Sequence, residues 1–256
     1  MNKNNNLKKI IDLFKNGKFT EALVLCDQFQ DNQNGHIIKN LKGAIYFKQK
    51  NYKLAKKNFF QSIELNKNFI DPYNNLYTLL ISTKEFDKLI IIAKKILELD
   101  KNNPISHFKL AYAFEVKGNL SQSINFYNSA INLGFADKKI IYNNLGNIYL
   151  KLDKLEKSIE YLTLSYEESK DNKFIINNLI RALIKKRDIS ETEKFLKIAE
   201  GIDKDFTEYL YNKAEFLILN KKLNEAINIL KNLISNKRDS KFYLLLSKIY
   251  FTLGDE

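Results

Sequence analysis

The chain repeats itself about every 34 residues, and no other feature constrains its fold so tightly. Successive units open at Lys3, His36, Ile70, Pro104, Lys139, Lys173, Thr207 and Ser240, in steps of 33, 34, 34, 35, 34, 34 and 33 residues. A period of that length predicts helix pairs that stack into a solenoid, an architecture whose usual work is to hold another protein. Hydrophobic residues, 45% of the sequence, are spread evenly over its 256 residues. That distribution predicts one continuous array over 3–256 behind a polar tail at 1–2, with units at 3–35, 36–69, 70–103, 104–138, 139–172, 173–206 and 207–239 and a half unit at 240–256.

The fifth unit shows the pattern most plainly. Tyr142, Leu145, Gly146 and Tyr149 fall at i, i+3, i+4 and i+7, one face of a helix. Leu155, Ser158, Ile159 and Leu162 continue that spacing on a second helix, with a tight turn between the two. In these features the chain resembles the tetratricopeptide repeat family, whose unit has small residues at positions 8 and 20 and aromatic residues at 11 and 24. Position 8 is Gly43, Ala111, Gly146 and Ala214 in units two, four, five and seven, and position 20 is Ala55, Ser123, Ser158 and Ala226. The resemblance implies an all-α, right-handed solenoid in which helices A and B of one unit cross at these small residues. Tyr77 and Leu89 in unit three, and Ile180 and Thr192 in unit six, depart from the pattern and predict looser crossings there.

Punctuation follows the same frame. The two prolines, Pro72 and Pro104, stand where a starting helix does not need the missing N–H. Gly17, Gly118 and Gly254 occupy position 15, the predicted left-handed cap of helix A. Gly43 and Gly146 serve the crossings, and Gly35, Gly134 and Gly201 lie near the turn into the next unit, so no glycine is left for a phosphate-binding loop.

Chemistry-bearing residues are few. His36 and His107 lie in non-adjacent units, and the single cysteine, Cys26, reads as a small buried hydrophobe. No cofactor, metal or catalytic role is expected. The lone cysteine and the lack of any leader or apolar run near the roughly 20 residues that span a bilayer predict a cytoplasmic chain with no membrane partner. The net charge of +12 raises the question of nucleic acid, but only Arg181, Arg187 and Arg238 are arginines, so that partner is disfavoured.

Binding residues are expected on the concave face, which in this family is lined by positions 2, 5, 6, 9, 12 and 13 of helix A. Position 6 carries Asn75, Asn144, Asn178 and Asn212, interrupted by Lys109, and position 5 carries Asn40, Asn74, Asn143 and Asn177. Asparagine makes up 32 of 256 residues, so chance gives about one per position across eight units, and four is an excess. Amides donate and accept, which suits them to the main chain of an extended peptide. The arrangement resembles the asparagine ladder of the O-linked N-acetylglucosamine transferases. Arg181 at position 9 and Lys48, Lys151 and Lys185 at position 13 would favour an acidic segment.

The expectation is therefore a non-catalytic scaffold that takes an extended peptide or a helix in its groove. Two alternatives are the substrate-recruiting N-terminal arm of a larger sulfotransferase or glycosyltransferase, and an RNA-binding solenoid. The helix at Ser240 to Leu253 is apolar on many sides and is followed by only three residues, which suggests either a chain cut from a longer protein or an end that packs against a partner or a second copy, the first being favoured.

Overall fold

A computed structural model describes residues 3–28 and 34–254, and the described residues form fifteen α-helices and no strand. The chain divides into two compact units, Met1–Phe135 and Ala136–Glu256, with the boundary in the sequence between the fourth and fifth repeats. The first holds α1 (Lys3–Lys15), α2 (Phe19–Gln28), α3 (Gly35–Lys48), α4 (Tyr52–Leu65), α5 (Asp71–Ser82), α6 (Phe86–Leu99), α7 (Pro104–Val116) and α8 (Leu120–Asn132). The second holds α9 (Lys138–Lys151), α10 (Leu155–Glu167), α11 (Lys173–Lys186), α12 (Ile189–Asp203), α13 (Thr207–Leu219), α14 (Leu223–Asn236) and α15 (Ser240–Leu253). Odd-numbered helices are the A helices of the repeat, and even-numbered ones the B helices.

Helices of 10 to 15 residues are marginal alone in water, so packing must hold them. Each helix packs on the next within its unit, and A helices of successive repeats also touch, as α3 does α5, α9 does α11 and α11 does α13. The crossings at Gly43 and Gly146 behave as the small residues predict. A Cβ on Gly43 would stand 2.5 Å from the Phe59 ring, and one on Gly146 would stand 2.5 Å from Leu162 Cγ. Ser158 Oγ reaches across the same crossing and donates to the Gly146 carbonyl at 2.8 Å. The pairs α3–α4, α7–α8 and α9–α10 run close along more of their length than α5–α6 and α11–α12, where Tyr77, Leu89, Ile180 and Thr192 stand. Tyr77 is nevertheless buried, and its hydroxyl donates to the Lys109 carbonyl on α7 at 2.9 Å.

Helix ends follow the sequence signals with one addition. Pro72 and Pro104 sit in the first turns of α5 and α7. Gly17, Gly118 and Gly254 take φ of +73°, +79° and +78° at position 15. The other five repeats use the same left-handed conformation without glycine, at Lys50, Lys84, Asp153, Arg187 and Lys221. The turn geometry is thus fixed by the repeat, even where the residue type is a poor match for it.

Candidate functional site

Within the second unit the A helices present a cavity of about 250 Å³ lined by Phe174, Asn177, Asn178, Arg181, Phe206, Glu208, Tyr211, Asn212 and Lys241. These are positions 2, 5, 6 and 9 of repeat six, positions 2, 5 and 6 of repeat seven, position 2 of repeat eight, and Phe206 from the turn between six and seven. Asn172 caps α11 by accepting from the Phe174 and Ile175 N–H groups, which fixes where Phe174 begins the helix. Phe174 and Phe206 then meet edge to face at 5.2 Å, and Phe174 remains 61% exposed. Lys241 Nζ lies 5.2 Å from the Tyr211 ring centroid.

The polar floor is tied together by amides. Asn212 Nδ2 donates to both the main-chain carbonyl and Oδ1 of Asn177, each at 3.1 Å, and Asn178 Nδ2 donates to Oδ1 of Asn143 at 2.9 Å. Arg181 Nη2 donates to Oδ1 of Asn147 at 2.6 Å. Glu215, one turn beyond Tyr211 on α13, is half-buried, and that burial raises its carboxyl pKa above the usual value. The Tyr211 hydroxyl and the charges of Arg181, Lys248 and Lys241 act in the opposite direction. The cavity thus joins aromatic walls to two cations, one exposed guanidinium among them, over amide groups that still have unfilled donor and acceptor capacity.

The sequence-predicted residues divide as follows. Asn177, Asn178, Arg181 and Asn212 come together in this cavity. Asn143 supports it through Asn178, and Asn144 lies half-buried on α9. Lys151 is exposed at the end of α9, while Lys185 pairs with Asp153 at 2.9 Å. Asn75 and Lys109 lie in the first unit, where Asn75 donates to Asn40 and the Lys109 ammonium to Asn74 Oδ1. Lys109 borders a cavity of about 300 Å³ with Asn74, Asn103 and Ser106. The paired asparagines therefore bond one another between neighbouring A helices, a role that the sequence reading had not assigned to them. Phe174, Glu208, Tyr211 and Lys241 fall on the frame already read as groove-lining, whereas Phe206 lies in a turn that the frame does not cover.

Elsewhere the chemistry is quiet. Cys26 is 3% exposed, and burial pushes its thiol up to about 11. His36 stacks edge-on against Phe69, and His107 Nε2 donates to the Lys101 carbonyl. Among the described residues no group of three His, Cys, Asp or Glu side chains is placed to hold a metal ion. No described helix is long and apolar enough to cross a membrane.

Residues 38–69 and 140–172 match the family model of the tetratricopeptide repeat. These segments are tetratricopeptide repeats. Solved structures share the all-α tetratricopeptide architecture at low identity. The C-terminal part of a tetratricopeptide repeat protein from Cytophaga hutchinsonii aligns with a TM-score of 0.70 and 16% identity, over 94% of this chain and 99% of that one. A tetratricopeptide repeat protein from Parabacteroides merdae aligns at 0.71 and 9%, over 96% and 98%. YrrB, a tetratricopeptide repeat protein with an unusual peptide-binding site, aligns at 0.57 and 20%, over 74% and 97%. No curated protein matches the chain.

Proposed function

We propose that the chain is a non-catalytic interaction scaffold that captures an extended, acidic peptide on the A-helix face of its second unit. The observation that carries this reading is the convergence of Asn177, Asn178, Arg181 and Asn212 with Phe174, Phe206, Tyr211 and Lys241 around one cavity. A side chain of the ligand would enter between the rings, its carboxylates would face Arg181 and Lys241, and free amide capacity would meet its main chain. The peptide-binding site of the similar protein YrrB supports the class of ligand, at the level of fold alone.

Selection of displayed peptides against the immobilised chain, followed by titration calorimetry of the winners, tests it. Enrichment of acidic sequences whose affinity falls about tenfold or more with Arg181→Ala, and falls again with added salt, is expected. Absence of enrichment, or winners indifferent to Arg181→Ala and Lys241→Ala, would overturn the reading. Nothing in the geometry favours the transferase-arm or the RNA-solenoid alternative over it.

A further inference from the structure

The net charge is concentrated at one place in the repeat. Positions 13–16 of the eight repeats, at 15–18, 48–51, 82–85, 116–119, 151–154, 185–188, 219–222 and 252–255, make up one-eighth of the chain. They hold thirteen of its 42 lysines and arginines but only four of its 30 acids, a net +9 out of +12.

Local structure does not ask for these charges. Cations at positions 13 and 14, in the last turn of helix A, do complement the helix dipole. Those at positions 15 and 16 do not. Position 15 has the left-handed backbone that suits glycine, yet Lys50, Lys84, Arg187 and Lys221 occupy it. Position 16 is the N-cap of helix B, where Asp, Asn or Ser would bond a free N–H and a positive charge meets the positive end of the dipole. Lys154 and Lys222 nonetheless stand there, with no side-chain capping bond.

In the second unit three successive turns bring such residues side by side. The A helices α9, α11 and α13 are adjacent, and the bridge from Lys185 to Asp153 ties two of the turns directly. Lys151, Lys154, Lys186, Arg187, Lys221 and Lys222 are all exposed along this edge. Of the acids nearby, Asp153 is taken by Lys185, and Asp188 caps α12 through the Glu191 N–H at 3.2 Å. Glu156, Glu191 and Glu225 sit in the first turns of α10, α12 and α14, on the helix-dipole side of the edge. Two apolar side chains, Leu152 and Ile189, stand among the cations at 39% and 46% exposure.

We propose that this edge of the second unit docks on the surface of an anionic lipid bilayer. Clusters of four to eight lysines and arginines are what an anionic leaflet attracts. Lysine stems can lie along the interface with their ammonium groups among the headgroups, while Leu152 and Ile189 enter the acyl boundary. A nucleic-acid partner would instead call on arginine forks and aromatic stacking platforms. The three turns offer one arginine, Arg187, and no aromatic ring. The sequence reading expected no membrane partner because it found no spanning segment; surface attachment draws on charge and needs none. None of these edge cations lines the peptide cavity, and the inference stands apart from it.

The test is co-sedimentation of the full chain with vesicles of phosphatidylcholine alone and of phosphatidylcholine with 30% phosphatidylserine, at low and at physiological salt. Binding to the anionic vesicles only is expected, weakening as salt rises. Lys154→Gln, Lys186→Gln and Lys222→Gln together should reduce it on the order of a hundredfold, about fivefold for each charge, with the unfolding temperature held or raised. Ile189→Ser should weaken it further. Polyuridylate and polyglutamate are the competing arms. Equal binding to both vesicle types, or no binding to anionic vesicles alongside tight binding of either polyanion, would overturn the proposal.

Discussion

Asn75 donates an Nδ2 hydrogen to Oδ1 of Asn40 at 2.8 Å, thirty-five residues away in sequence and one A helix away in space. Asn178 with Asn143 and Asn212 with Asn177 repeat the relationship at the same separation, and Lys109 with Asn74 keeps it with an ammonium donor. Position 6 of each of these repeats thus holds position 5 of the repeat before. The bonds set the rotation of one A helix against the next, which in turn sets where positions 2 and 9 point. Pairing within the protein and presentation to a ligand are compatible, because Asn178 uses one of its two amide hydrogens on Asn143 and each amide oxygen has more than one lone pair.

The pairs should differ in cost according to burial. Asn212 and Asn177 are both 5% exposed, so Asn212→Ala leaves a buried carbonyl without its donor and should cost about 1–3 kcal/mol. Asn75→Ala, at a wetter site, should cost about 0.5–1.5 kcal/mol. Replacing Asn177 and Asn212 together by Leu should cost less than the sum of the single changes, since no orphan remains. Urea unfolding midpoints of the two Ala variants, of Asn177→Leu and Asn212→Leu singly and of the double Leu variant measure this, and strict additivity would remove the pairing argument.

How much of this was legible beforehand depends on what the repeat frame alone can carry. Gly43 and Gly146 announced the crossings, and the resemblance to the tetratricopeptide repeat family implied that positions 2, 5, 6 and 9 line a groove, where the cavity lies. The excess of asparagine at positions 5 and 6 was visible too. Its meaning was not, since a bond from position 6 to the preceding position 5 depends on how neighbouring helices are rotated, and one sequence shows no such angle. Phe206 escaped for a related reason: it lies in a turn, where period gives no direction. The left-handed residues at position 15 were legible only where glycine marked them.

Those left-handed residues make a second prediction. Lys50, Lys84 and Lys221 hold φ of +61°, +57° and +60°, where a side chain crowds its own backbone. Each changed to Gly should gain about 0.5–1 kcal/mol, the relief of strain being partly offset by a looser unfolded chain. Gly118→Ala, at φ +79° with open space around it, should lose a similar amount through strain alone. Thermal unfolding followed by circular dichroism decides the signs.

Glycines inside helices separate packing from propensity. Gly146→Ala puts a methyl 2.5 Å from Leu162 Cγ and 3.2 Å from the Leu162 backbone nitrogen, so α9 and α10 must part. A loss of about 1–3 kcal/mol is expected despite the better helix former. Gly201→Ala, within α12 and with nothing inside 4 Å, should instead gain about 1 kcal/mol. Equal effects from the two substitutions would mean that the crossing is not tight.

Glu215 gives the pH dependence. Burial raises its folded-state pKa above the 4.5 of an ordinary glutamate, so the folded chain holds this proton more firmly than the unfolded chain does. The sign follows from linkage: Glu215 favours folding below the unfolded pKa, and that contribution disappears as pH rises through the folded value. At neutral pH the ionised carboxylate is therefore a net burden, despite the Tyr211 hydroxyl and the cations of Arg181, Lys248 and Lys241 around it. Glu215→Gln keeps an acceptor for Tyr211 and does not titrate. It should raise the unfolding temperature at pH 7, and its advantage over the parent chain should shrink as pH falls toward 4. Parallel melting curves across that range provide the check, and an advantage that grows on acidification would mean that the surrounding cations, not burial, govern this carboxyl.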